Sequence, residues 1–309
     1  MIGILEPLNF SSKAIKDLGS IGHIDTYDGG SLDDFLRNKE ILFVRLGYQI
    51  TREFFEKAPN LKYLCSPTTG LNHIDLDAVR EFGVTVVSLK GEVDFLNNVR
   101  ATPEHIFGLT IALLRNYKDA FSKMAIETWN RDLYRGAELY GKNVGIIGLG
   151  RIGRIINEFF KPFGVSIHWY DKKTQSKIET SGTFKHTEIE SLIKSVDIVI
   201  ISIDLNKKNE GLFDKPKINM MENKWVINCS RGEVFDEAYL LKMASKGWFK
   251  GLALDVILNE TTPKNNRLEW AAVTEDQNVI VTPHIGGCTY ESMEKTELFI
   301  VNKLIRKMH

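Results

Sequence analysis

The chain has 309 residues, with 40 basic and 40 acidic side chains and 43% hydrophobic residues. That length exceeds what one compact core holds and predicts about two domains. The cancelled charge excludes an electrostatic footprint for nucleic acid or an anionic membrane surface, and no apolar run approaches the roughly 20 residues that span a bilayer.

The N-terminus, MIGILEPLNF, has no basic segment, and Glu6 and Pro7 interrupt its apolar run, so it does not read as a secretory signal. Over the first hundred residues, IGIL, HIDTY, ILFV, LKYLCS and VTVVSL are candidate strands. Helix-like segments near 13–19, 31–39, 51–58 and 75–82 separate them. Near-continuous apolar strands alternating with helices predict a parallel sheet covered on both faces. Residues 101–118, ATPEHIFGLTIALLRNYK, predict one long buried helix joining two domains, with Pro103 tolerated in its first turn. A second strand series follows: NVGIIG, VSIHWYD, DIVIIS, KWVINCS, GLALDV and NVIVTP. Six strands are the number expected of a dinucleotide-binding sheet. Residues 290–308 are helical in pattern and are expected to pack back on the first domain. The three cysteines, Cys65, Cys229 and Cys288, lack CxxC spacing, which argues against a disulfide framework or a metal site and fits a reducing cytoplasm.

Within the second series, VGIIGLGRIGR spaces Gly148, Gly150 and Gly153 as GxGxxG between an apolar strand and a helix. Gly148 permits a tight turn, Gly150 lets backbone approach a pyrophosphate, and Gly153 lets helix and strand pack closely. Arg151 and Ile152 open that helix, whose N-terminus offers N–H groups and positive potential to phosphates. Asp171 ends the next strand, where a carboxylate meets the ribose 2′-hydroxyl of NAD and repels the extra phosphate of NADP. Lys172 and Lys173 beside it would favour that phosphate, or form a solvated surface pair; the balance favours NAD.

Ligands of an open parallel sheet sit outside the carboxyl ends of its strands. There the sequence places Cys229 and Arg231, then Asp255 and Glu260, then His284 followed by Gly286 and Gly287. A histidine can give and take a proton near neutrality, a carboxylate on its far nitrogen fixes the tautomer, and an arginine grips a carboxylate bidentately. Each residue has a plain alternative: a structural ion pair for Arg231, a solvated loop acid for Glu260, a satisfied loop histidine for His284. Their joint placement argues against all three.

TTGLNHIDLDAV, ATPEHIFGLTIALLRN, GKNVGIIGLGRIGR, INCSRGEVFDEAYLL, GLALDV and TPHIGG together resemble the D-isomer-specific 2-hydroxyacid dehydrogenases over nearly the whole chain. The resemblance implies an α/β fold of two doubly wound parallel-sheet domains. A Rossmann NAD-binding domain (101–286) is inserted in a flavodoxin-like substrate domain (1–100 plus 287–309). It makes Arg231, Glu260 and His284 the catalytic set. It gives the substrate carboxylate to backbone N–H groups of Gly70 and Leu71 with Asn72 nearby, and lines the cleft with Arg45. Asp255 would contact the nicotinamide amide, with Cys229 and Gly287 on the cofactor side. The family is usually dimeric through the region around 101–140, including Trp129, although core packing reads equally well for that tryptophan. Two departures stand out: IDLNKKNEG, with Asp204 and Asn206, replaces the usual Pro and Thr along the cofactor, and no Pro follows Glu260 directly. The chain has no extension of the kind that carries a regulatory domain, so serine-type feedback is not expected. The expected function is hydride transfer between NAD and C2 of a small D-2-hydroxyacid or 2-ketoacid in a cytoplasmic homodimer. The rival is a nucleotide-sensing corepressor on the same scaffold, but no partner-binding tail or basic patch supports it. Oxidation of formate or phosphite by that scaffold has no residue to recommend it. Arg45 and Lys62 would suit an acidic or phosphorylated side group, or serve as surface cations.

Overall fold

The structure, a computed structural model, describes residues 1–124, 129–173, 183–262 and 265–308. The chain divides into two compact units, Met1–Val99 with Cys288–His309, and Arg100–Gly287.

The first unit runs β1 (Ile2–Ile4), α1 (Ser12–Gly19), β2 (Ile24–Thr26), α2 (Leu32–Leu36), β3 (Ile41–Phe43), α3 (Arg52–Lys57), β4 (Tyr63–Ser66), α4 (Leu76–Glu81), β5 (Thr85–Ser88) and α5 (Val93–Leu96). The C-terminal helix α13 (Tyr290–Met308) completes it. Its five strands pair in parallel in the order β2-β1-β3-β4-β5, the flavodoxin order. Successive strand residues face opposite sides. Ile2, Ile4, Phe43, Cys65 and Val87 therefore pack with α1 and α13, while Leu42 and Leu64 pack with α3 and α4. Ser11, Ser31 and Asp75 cap α1, α2 and α4 by accepting backbone N–H groups of the first turn.

The second unit opens with α6 (Ala101–Leu114) and α7 (Tyr117–Lys123). It continues through β6 (Asn143–Ile147), α8 (Arg151–Phe160), β7 (Ser166–Tyr170), β8 (Thr183–Lys185), α9 (Ile189–Ser195), β9 (Ile198–Ile201) and α10 (Lys215–Asn219). It closes with β10 (Trp225–Asn228), α11 (Glu237–Ala244), β11 (Gly251–Leu254), α12 (Arg267–Asp276) and β12 (Val279–Val281). All seven strands pair in parallel, in the order β12-β11-β10-β9-β6-β7-β8. From the β8 edge this is the Rossmann order 3-2-1-4-5-6 with β12 added. Both units are thus doubly wound α/β sheets, as the sequence predicts.

Two expectations are corrected. The sheet has seven strands, because β8 is a three-residue edge strand whose only large apolar residue, Phe184, is 51% exposed. And 101–118 is not one helix: Asn116 takes the left-handed conformation (φ +52°) and separates α6 from α7. Among the described residues no helix is long and apolar enough to cross a membrane.

Candidate active site

The turn from β6 to α8 is built around glycine. Gly148 has φ +97°, and a Cβ there would lie 2.6 Å from the Ser202 carbonyl oxygen. A Cβ at Gly153 would run into the Gly148 carbonyl. Gly150 differs: a Cβ there meets nothing within 4 Å, so its own unit does not demand the glycine. Gly150 is the N-cap of α8, so Arg151, Ile152 and Gly153 form the first turn of that helix, whose N-terminus carries positive potential. Ile152 packs its side chain on the core, leaving its backbone for a ligand. Burial, and then the neighbouring Arg100 cation, lower the pKa of Arg151 at this helix start, and Arg100 itself donates to Glu158 of the same helix at 3.0 Å. Asp171, after β7, accepts the Leu149 N–H at 2.7 Å and the Lys173 N–H at 2.7 Å, which ties it to the glycine loop. The helix start and the open face at Gly150 suit a dinucleotide pyrophosphate. Beyond β9, Asn209 holds the loop that carries Asp204 and Asn206: Asn206 N–H donates to its side chain at 2.8 Å, and its amide group donates to the Asp204 carbonyl.

Arg231, Glu260 and His284 follow β10, β11 and β12, three adjacent strands. His284 Nδ1 lies 2.5 Å from Glu260 Oε1. An ionised carboxylate only accepts, so Nδ1 carries the proton and Nε2 is left for a reacting oxygen. His284 sits at φ +54°, and Asn259, just before Glu260, at φ +56°. Such backbone is uncommon outside glycine and must be held by its surroundings.

Residues that the sequence reading missed provide that hold. Asn228 ends β10 and folds the next turn: its oxygen accepts from Ser230 N–H (3.0 Å) and Oγ (2.7 Å), and its amide donates to the Arg231 carbonyl (2.9 Å). A Cβ at Gly232 would strike the backbone of Ile257 and Leu258, so this glycine lets the Arg231 turn lie against the Glu260 loop. Glu237, buried in α11, accepts the Leu258 N–H, the Asn266 amide (3.0 Å) and the Trp270 indole N–H (3.4 Å).

Asp255 is 1% exposed and organises the His284 turn. Its carboxylate accepts Thr282 Oγ1–H (2.7 Å) and the Ile285 and Gly286 N–H groups (2.8 Å each), and its carbonyl accepts the His284 N–H (2.8 Å). Burial alone would raise its pKa; hydrogen bonds from His105, Thr282, Gly286 and Ile285 outweigh this and hold it below the usual carboxylate value. Cys229, half-buried beside it, has its thiol pushed well up by burial and then by the Asp255 charge. His105, Cys229 and Asp255 each bring one ligand atom within 4.8 Å of the others, the one such trio among the described residues. The Asp255 oxygens are already committed to hydrogen-bond donors, so the trio reads as a polar cluster. Gly287 closes the turn with open space where a Cβ would stand.

In the first unit, Gly70, Leu71 and Asn72 lie in the loop after β4. Ser66 Oγ and Thr68 Oγ1 are 2.8 Å apart, and Thr68 Oγ1–H donates to the Gly70 carbonyl at 2.9 Å. Among the described residues the amides of Gly70 and Leu71 donate to no backbone carbonyl. Arg45 is committed within its own unit: Nε donates to Glu297 at 3.2 Å, Nη2 to the same oxygen, and Nη1 to the Leu8 carbonyl at 2.8 Å. Burial raises the pKa of Glu297, opposed by the Ser11 N–H and by Arg45. Lys62 forms an exposed pair with Glu40 (2.6 Å). Trp129 is 93% exposed, which removes the core reading of that residue.

Comparison with known proteins gives this geometry a family. A family model described as "D-isomer specific 2-hydroxyacid dehydrogenase, NAD binding domain" matches residues 107–286. D-3-phosphoglycerate dehydrogenase of Methanocaldococcus jannaschii is 33% identical over all of this chain and 57% of its own length. Glyoxylate reductase of Thermofilum pendens is 31% identical over 87% of this chain and 78% of its own. The structure of NAD-dependent formate dehydrogenase from Staphylococcus aureus in complex with NAD is 26% identical, with a TM-score of 0.84 over 100% of this chain and 95% of that one. The chain spans about half the length of the curated phosphoglycerate dehydrogenases it matches. With a family model covering more than half of its residues and these relatives spread along its length, the chain belongs to the D-isomer specific 2-hydroxyacid dehydrogenases.

Proposed function

We propose that this chain reduces a small 2-ketoacid to the D-2-hydroxyacid, or runs the reverse reaction, with NAD as its cofactor. The observation that carries the reading is the His284–Glu260 pair at 2.5 Å, on strand ends of the sheet that bears the glycine loop. Glycine-loop amides and the start of α8 would take the pyrophosphate, and Asp171 the adenosine ribose, which favours NAD over NADP. A bound nicotinamide supplies the hydride. His284 Nε2 gives its proton to the ketoacid oxygen during reduction and takes it back in the reverse direction. Glu260 keeps Nδ1 protonated and stabilises the imidazolium. Arg231 holds the substrate carboxylate, and we extend that role to the amides of Gly70 and Leu71. We assign Arg45 to fixing its own loop, because Glu297 and Leu8 already occupy its fork.

The test is a turnover panel of glyoxylate, hydroxypyruvate, phosphohydroxypyruvate and pyruvate, with NADH and NADPH in parallel. His284→Ala is expected to lower kcat roughly 10²- to 10⁴-fold on any substrate reduced. A loss below about tenfold would remove His284 as the proton carrier.

We further propose a homodimer. Phe121, Met124, Trp129, Leu133 and Tyr140 are all more than half exposed, a concentration of apolar surface in one stretch of chain. Trp129→Asp should shift the mass measured by light scattering from dimer to monomer. All three cysteines are free, which suits the reducing cytoplasm where we place the protein.

A further inference from the structure

We propose that His105, on α6, is a positioning residue: through Asp255 and Thr282 it fixes the backbone turn that aims His284. The inference rests on the dehydrogenase reading for its catalytic consequence, but its geometry stands without it.

His105 Nε2 lies 3.2 Å from Thr282 Oγ1 and 3.3 Å from Asp255 Oδ1. The Thr282 hydroxyl has one hydrogen, and it goes to Asp255 at 2.7 Å. Toward His105 that oxygen can only accept, and the carboxylate also only accepts. His105 therefore carries its proton on Nε2 and shares it between the two oxygens. The imidazole faces an almost fully buried carboxylate whose remaining donors are Thr282 and the amides of Ile285 and Gly286. Those amides belong to the two residues directly after His284, which is itself held in left-handed backbone. Rotation of the Asp255 carboxylate would release them and the ring orientation of His284 with them. α6 also lies beside this turn. A Cβ at Gly286 would lie 2.8 Å from Asp255 Oδ2, 3.5 Å from Thr102 Cγ2 and 3.7 Å from His105 Cδ2. A side chain at Gly286 would press on the Asp255 carboxylate and touch α6 at ordinary contact distance.

The titratable groups facing Asp255 are His105 from α6 and Cys229 from the β10 end. Of these, His105 is the hydrogen-bond donor that holds the Asp255 carboxyl down. Its removal should therefore move the acidic limb of the activity profile to higher pH.

The test compares His105→Leu, which removes the donor at similar size, with His105→Gln, whose amide can replace it. Two readouts are used: hydrogen exchange of the Ile285 and Gly286 amides, and kcat across pH. In the Leu variant both amides should exchange at least about tenfold faster, kcat should fall roughly 10- to 100-fold, and the acidic limb should move up. The Gln variant should return exchange and kcat to within about threefold of the parent. Unchanged exchange or unchanged kcat in the Leu variant overturns the proposal. So does a Gln variant as impaired as Leu, since packing alone would then explain the loss. If the parent protein reduces no ketoacid, the functional reading falls and the exchange rates alone decide the positioning.

Discussion

At the scale of single residues, the groups that would touch a reactant differ from the groups that hold them. Glycine spacing, a strand-terminal acid and a histidine before two glycines have local signatures, because backbone chemistry imposes them over a few positions. Asn228, Glu237 and His105 have none, because each works through a tertiary contact; Glu237 reaches Leu258 across 21 positions and Trp270 across 33. Arg45 is a further case: the resemblance implies a cleft-lining cation, and only the fold shows the Glu297 carboxylate against it. Two substitutions separate the roles. Glu260→Gln keeps a hydrogen-bonding group on His284 but removes the charge that steadies the imidazolium. It should lower kcat roughly 10²-fold with little change in melting temperature, because Glu260 is partly exposed. Gly232→Ala should act through packing, as its Cβ meets the Ile257 backbone. Its expected cost is about 1–3 kcal/mol in denaturant unfolding, with a raised KM as the Arg231 turn is displaced. A variant as stable as the parent would show that the two loops can separate freely.

At the scale of elements, buried parallel strands were legible and marginal ones were not. β9 reads IVII and is wholly buried, whereas β8 carries one exposed phenylalanine between polar residues, and only its pairing with β7 reveals it. The break between α6 and α7 was illegible for a related reason: asparagine tolerates left-handed backbone without marking a turn as Gly or Pro would. The β7–β8 edge carries a histidine pair with a consequence for stability. His168 Nδ1 lies 2.9 Å from His186 Nε2, and His186 Nδ1 lies 3.0 Å from Ser191 Oγ on α9. Ser191 Oγ–H donates to the Glu188 carbonyl, so His186 Nδ1–H donates to Ser191 and His168 Nδ1–H donates to His186. Burial lowers the pKa of both imidazoles, and for His168 the neighbouring His186 adds to it. The unfolded chain therefore binds more protons than the folded one below the ordinary histidine value of about 6.5. Stability should be full above that pH and decline as pH falls through the lowered values. Melting temperature measured from pH 7.5 to 5.5 should show this fall, and His186→Gln should flatten it. An equal slope in both proteins would place the titration elsewhere.

At the scale of the whole molecule, each unit carries its own core, and the first is assembled from both ends of the chain. Ile300, Val301 and Leu304 of α13 are fully buried in one cluster with Ile2, Ile4, Phe43 and Val87. Lys303 donates to the Ser88 carbonyl (2.8 Å) and to Glu92 (2.6 Å), and Glu297 accepts the Ser11 N–H at 2.7 Å. Burying three aliphatic side chains contributes roughly 5–9 kcal/mol, the order of a domain's entire stability. Removing residues 290–309 should therefore unfold the first unit. The second unit shares no core cluster with α13, and it contains the glycine loop, Asp171, Arg231, Glu260 and His284. The truncated protein should accordingly yield a protease-resistant fragment close to residues 100–287 that still quenches or enhances NADH fluorescence on binding. Under the proposed role of the Gly70 and Leu71 amides, it should reduce no ketoacid. Digestion of both units together would mean that the second sheet depends on the first for its stability, despite its separate core.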